Sequence, residues 1–156
     1  MKKMFLSAVV LMMSATTLLS CSDDDNNSGV TSDQLNGKWN NLREEALDAN
    51  GNIVETYVFE NGSCPLNINE FKDNGVFVFT EYEYSTNAAD CNEVISNGTW
   101  SLVDNNFKLN QDGEDFNFQV VKLNATEFEI QKPLSREDAE DYELNVVTLR
   151  YVFKKI

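Results

Sequence analysis

Side-chain chemistry near neutral pH most often begins with histidine, and this chain of 156 residues has none. Its absence removes the commonest general base and the commonest metal ligand, so Ser-His-Asp and Cys-His nucleophilic catalysis are excluded. Carboxylates are plentiful, 26 Asp and Glu against 12 Lys and Arg. In so acidic a chain, closeness in sequence identifies no acid–base dyad. Two stretches could offer oxygen atoms to Ca²⁺: Asp48-Ala49-Asn50-Gly51-Asn52 and Asp112-Gly113-Glu114-Asp115. Neither has the ligand spacing of an EF-hand loop, and Asp, Asn and Gly are the ordinary residues of tight turns. Cys21, Cys64 and Cys91 complete the reactive set, and lone thiols without histidine make a poor metal site. No catalytic residue, metal or cofactor is assigned, and a non-enzymatic role is expected.

The N-terminus carries a different kind of chemistry. Lys2 and Lys3 precede an apolar run from Met4 to Leu19, the pattern of a secretory signal and too short to span a bilayer stably. The run ends in Leu18-Leu19-Ser20-Cys21, which resembles the lipobox of bacterial lipoproteins. That resemblance implies cleavage before Cys21 and acylation of Cys21, which would hold the protein on a membrane. An ordinary cleaved signal is the alternative. Removal of residues 1–20 leaves 136 residues, one domain with a short tether, carrying 10 basic and 26 acidic side chains. A net charge near −16 repels phosphate backbones, so no nucleic-acid partner is expected. Residues 21–34 read as an acidic flexible tether. Within it, Ser22-Asp23-Asp24-Asp25 resembles the export signal that sends Bacteroidetes lipoproteins to the cell surface. An outer-membrane lipoprotein displayed at the surface is therefore expected, with the periplasmic face as the alternative. If Cys21 is acylated, Cys64 and Cys91 remain as an even pair in an oxidising compartment. A disulfide between them is expected, with two free thiols as the alternative.

Residues 35–156 must supply whatever positions a site. Asn50-Gly51, Asn61-Gly62, Asn74-Gly75, Asn97-Gly98 and Asp112-Gly113 punctuate the chain with turn chemistry. Between them lie strand-length runs, several alternating with period two, such as Phe116, Phe118 and Val120 against Asn117 and Gln119. Nine strands are expected, near 38–47, 53–60, 66–72, 75–84, 98–103, 106–111, 115–123, 126–132 and 144–155. Two longer connections are expected, Ser85–Asn97 and Pro133–Glu143. In the second, Ser135 and Asp138 form a weak capping signal for one or two helical turns. Consecutive strands joined by tight turns make an antiparallel meander, and closing it removes its edges. The expected fold class is all-β, an up-and-down barrel of eight to nine strands with at most one short helix.

Asn36-Gly37-Lys38-Trp39 opens the first strand and Asn97-Gly98-Thr99-Trp100 the fifth. With the meander, the first resembles the Gly-x-Trp signature of lipocalins, and residues 35–156 resemble the lipocalin-like domain of Bacteroidetes lipoproteins. The Phe71-Lys72-Asp73-Asn74-Gly75 turn and the flanking cysteines belong to the same likeness. The later lipocalin motifs and the long helix after the last barrel strand are not recognisable. The resemblance implies an interior that either is filled by side chains or holds one small ligand. The inward aromatic candidates are Trp39, Tyr57, Phe59, Phe77, Phe79, Trp100, Phe107, Phe116, Phe118, Phe128 and Tyr151. Binding of a small hydrophobic ligand by a monomer is the leading expectation. The alternative is an interaction or scaffold module with a filled barrel, binding a protein or glycan through its loops. An apolar pocket of roughly 300 Å³ or more favours the first, and a packed interior the second.

Overall fold

The computed structural model describes residues 30–156 except 88, 136–138, 140, 141, 143 and 144. Cys21, the signal and most of the tether lie outside the described residues. A four-residue helix, α1 (Ser32–Leu35), leads into nine strands. They are β1 (Gly37–Leu47), β2 (Ile53–Val58), β3 (Ile68–Phe71), β4 (Val76–Ser85) and β5 (Asp90–Val103), then β6 (Asn106–Gln111), β7 (Glu114–Leu123), β8 (Glu127–Pro133) and β9 (Thr148–Lys155). All pairings are antiparallel, and β9 returns to β1, so eight strands close into a barrel and β2 stands outside the closure. The reason lies in how β1 divides one edge. Its first residues, Gly37–Asn40, pair with β3, whereas Arg43–Leu47 pair with β2. On its other edge, β1 runs along β9 almost throughout, with one irregularity between Asn41 and Arg43.

One end of the barrel is closed by its own side chains. Leu35, Trp39, Phe71, Phe77, Phe107 and Phe128 are buried there together with Trp100, Ile130 and Phe153. Phe71 stacks edge-on against Trp100, Phe107 and Phe128, the arrangement that the quadrupoles of neighbouring rings favour. Each indole donates its N–H to a backbone carbonyl, Trp39 to Leu35 at 2.7 Å and Trp100 to Lys72 at 3.0 Å. Both large rings are thus buried without leaving a donor unpaired. Lys155 Nζ lies 5.0 Å above the Trp39 ring and covers the plug from outside. Gly37 opens β1, whereas Asn97-Gly98 is no turn and lies inside β5, paired with Val78 and Phe77; the two glycines are required for different reasons. Gly37 has φ +121°, whereas a Cβ on Gly98 would collide with the Asn110 carbonyl of β6. The first permits a turn and the second a close approach of two backbones.

Two expectations need correction. Ser85–Asn97 is not a loop: Asp90–Asn97 pairs residue for residue with Val78–Ser85, extending β4 and β5 into one long hairpin. Its Asp, Asn and Ser content reads as loop, but a strand paired along one edge tolerates such residues where it is solvated. The folded body also begins before residue 35. Val30 packs against the core, just ahead of the fully buried Leu35. The helix lies there too, with Gln34 Oε1 accepting the Thr31 N–H at 3.1 Å. In the 133–143 connection the described residues include a helical-type bond of the kind expected there, Ala139 N–H donating to Ser135 O at 3.0 Å, and Asp138 lies outside the described residues. Cys64 and Cys91 form a disulfide with Cα atoms 5.6 Å apart, joining the connection before β3 to the start of β5. Asn61 reinforces that connection by donating to the carbonyls of Pro65 and Tyr82.

Candidate functional site

Strand alternation sends every second residue inward, and above the aromatic plug these side chains leave a cup of about 230 Å³. Its floor is Phe71, Phe107, Ile130 and Phe153, and its wall includes Leu109, Phe116, Phe118 and Tyr151. Phe118 and Tyr151 meet edge-on at 6.0 Å. The rim is polar: Asn41, Asn69, Gln111 and Lys132. Two rim amides are held in place, Asn69 Nδ2 donating to Asn41 Oδ1 at 3.0 Å and Gln111 Nε2 to Ser96 Oγ at 3.0 Å. At about 230 Å³ the cup falls short of the roughly 300 Å³ set above as favouring a ligand carrier, and it has room for roughly eight to twelve non-hydrogen atoms at about 20–30 Å³ each. The barrel is therefore neither empty nor filled; its closed half is packed and its open half is hollow.

The sequence-predicted aromatics divide accordingly. Phe116, Phe118 and Tyr151 line the cup. Trp39, Phe77, Trp100 and Phe128 are buried in the plug with Phe107, which alone of these five also reaches the cup floor. Phe79 packs against the edge of the plug and lines a cleft with Phe59, Leu66 and Asn67. Tyr57 stands apart. It pairs with Glu44 across β1 and β2, beyond the closed barrel, and is 61% exposed. There it borders a recess of about 200 Å³ with Glu44, Ala46, Glu55 and Tyr142. The rim residues Asn41, Asn69, Gln111 and Lys132 were not singled out from the sequence. Their alternation with the apolar residues of each strand is the one signal they carry, and it is shared by every solvent-facing polar residue of those strands.

Beside the mouth, Ala46, Val146 and Leu149 form a small second core covered by Leu134 and Tyr142. Tyr142 donates its hydroxyl to Glu44 at 3.1 Å. Burial, and then the neighbouring Glu44 carboxylate, push the Tyr151 phenol above the ordinary tyrosine range. The larger depression, about 780 Å³, lies on the outer face of the sheet between Ser101, Lys108, Asn117, Gln119 and Gln131. It is open, and Val103, Phe107, Phe118 and Pro133 line it beside these polar side chains. The two stretches with Ca²⁺-like composition are used by their own turns. Asp48 accepts from the N–H groups of Asn50 and Asn52 and from the Asn52 amide at 2.8–3.0 Å. These bonds, the Asn52 amide first, lower its pKa below the usual carboxylate value. Asp115 accepts from Asn110 at 2.7 Å. Among the described residues no three His, Cys, Asp or Glu side chains come together as a metal site.

The lipocalin-like domain family matches residues 35–130. Among solved structures, a lipocalin-like protein from Bacteroides uniformis superposes with a TM-score of 0.50 at 13% identity, covering 79% of this chain and 99% of its own. An uncharacterized protein from Bacteroides eggerthii gives a TM-score of 0.50 at 13% identity, covering 78% and 99%. At that identity the likeness is one of fold. No curated protein matches the chain.

Proposed function

The chain belongs to the lipocalin-like domain family, and from that premise we propose that it is a non-catalytic, membrane-anchored binding protein holding one small apolar molecule in the open half of its barrel. The observation that carries this reading is the cup itself, an apolar floor and wall beneath a polar rim, inside a barrel otherwise packed with rings. Folding gains nothing from leaving such a hollow, because an unfilled apolar cavity costs stability in proportion to its volume. The anchor is the acylated Cys21, supported by the basic start, the short apolar run and the Leu-Leu-Ser-Cys ending, with display from the outer membrane toward the cell exterior. Geometry is compatible with this arrangement: the chain enters at Val30 beside the plug, so the mouth opens at the end away from the tether.

Native mass spectrometry of detergent-free protein is the test. A bound species of roughly a dozen heavy atoms or fewer is expected from the cavity volume. A bare protein mass, together with no saturable change in Trp39 or Trp100 emission on titrating small apolar probes, would remove the carrier reading. Anchoring is tested separately: Cys21→Ala is expected to move the protein out of the membrane fraction, and retention there would overturn it.

One observation favours a second reading, an interaction or scaffold module. Tyr57 and Val58 on β2, Tyr84 on β4 and Ile95 on β5 are each more than half exposed, and apolar surface of this kind marks contact sites when contiguous. The Ser85–Asn97 segment would then present a paired strand, not a flexible loop, to the partner.

A further inference from the structure

In a chain with more than twice as many acids as bases, no carboxylate lines the cup among the described residues, and Lys132 is the one charged side chain among them in its lining. Its place follows from β8, where Phe128, Ile130 and Lys132 alternate onto the inner face, and from its pairing opposite the buried Leu149. Lys132 is half-buried and takes part in none of the ion pairs among the described residues, which join Glu45 to Arg43 and Arg150 and Lys122 to Glu127 and Glu129. Other charges face the mouth from neighbouring strands. Glu44 on β1 is engaged by the Tyr142 hydroxyl, Glu55 on β2 borders the recess outside the closed barrel, and Glu81 and Glu83 follow Phe77 and Phe79 on one face of β4 beyond the cup. These carboxylates act through solvent, which screens charge over about 8–10 Å. A head group seated at the rim instead touches Lys132 directly, and a charge-assisted hydrogen bond of that kind outweighs distant repulsion.

Resting on the carrier reading above, we propose that the cup selects small amphipathic acids, Lys132 holding the carboxylate at the rim while the hydrocarbon lies on Phe107, Phe118 and Phe153. The volume suits a chain of about eight carbons with its carboxylate, near the upper limit of the space.

The test is isothermal titration of one hydrocarbon with three heads, octanoate, octan-1-ol and octylamine. The protein is the chain from Ser22 to Ile156, which keeps every core residue since these run from Val30 to Phe153. Octanoate is expected to bind wild type roughly tenfold tighter than octanol, the usual scale for one added charge-assisted contact. Lys132→Met is expected to erase that preference while leaving octanol within about twofold, and Lys132→Arg to keep it. Leu109→Trp, which fills the cup, is expected to abolish binding of all three. Equal or tighter binding of octanol or octylamine to wild type would overturn the selectivity and leave the carrier reading intact. So would a preference for octanoate that survives in Lys132→Met. Octanoate binding that persists in Leu109→Trp would place the site elsewhere. Failure of all three to bind wild type would remove the carrier reading, and this proposal with it.

Discussion

Glu45 is one of two buried polar side chains among the described residues, the other being Asn69. Its two carboxylate oxygens are divided between Arg43 at 2.7 Å and Arg150 at 3.3 Å, and the latter is its cross-strand partner on β9. Removing one member of a buried pair strands the rest. Glu45→Ala is therefore expected to lower unfolding free energy by about 3 kcal/mol in urea titrations, whereas the double change Glu45→Leu with Arg150→Met is expected to cost less. Gly98 is a steric case. Any side chain there meets the Asn110 carbonyl, so Gly98→Ala is expected to cost more than about 3 kcal/mol or to prevent folding, read by the same titration. Tyr151 gives a pH signature. Its folded-state pKa is raised, by burial first and Glu44 second, so its contribution is complete below the unfolded tyrosine value near 10 and is lost as pH climbs above it. Tyr151→Phe is expected to flatten the alkaline fall in melting temperature, and a fall unchanged in that variant would refute the assignment.

At the scale of elements, the long β4–β5 hairpin and the disulfide act as one unit. Cys91 lies near the outer end of β5, and Cys64 precedes β3. Their bond spans 27 residues of sequence, a loop whose closure stabilises by about 3.5 kcal/mol on chain-entropy grounds. Cys64→Ser with Cys91→Ser is expected to lose that amount in chemical denaturation while β6–β9 keep their amide-exchange protection. Most of the barrel was legible because its turns carry Asn-Gly or Asp-Gly and its inner residues are aromatic at period two, as in Phe116, Phe118 and Val120. The outer half of β5 was not, because Asp90-Cys91-Asn92-Glu93 has neither signal and becomes a strand only through its pairing with Tyr82–Ser85. The place of β2 outside the closure was hidden for a related reason. Its Ile-Val-Glu-Thr-Tyr-Val sequence is a good strand, but which edge of β1 it meets depends on where β3 has already paired. Half of the site was equally invisible: the rings could be found by type, whereas Asn69 and Lys132 acquire meaning only from the strands around them.

At the scale of the whole molecule, the barrel has two unlike ends. Rings and Leu35 fill one, and amides with a lysine surround the other. A molecule can enter by the second alone, which is why filling the cup at Leu109 is expected to block every ligand at once. Leu35 arrives from the stretch just upstream of β1, and its carbonyl is fastened to the Trp39 indole. A chain shorn of residues 30–36 would lose that stopper and trade a vessel for a leaking pipe.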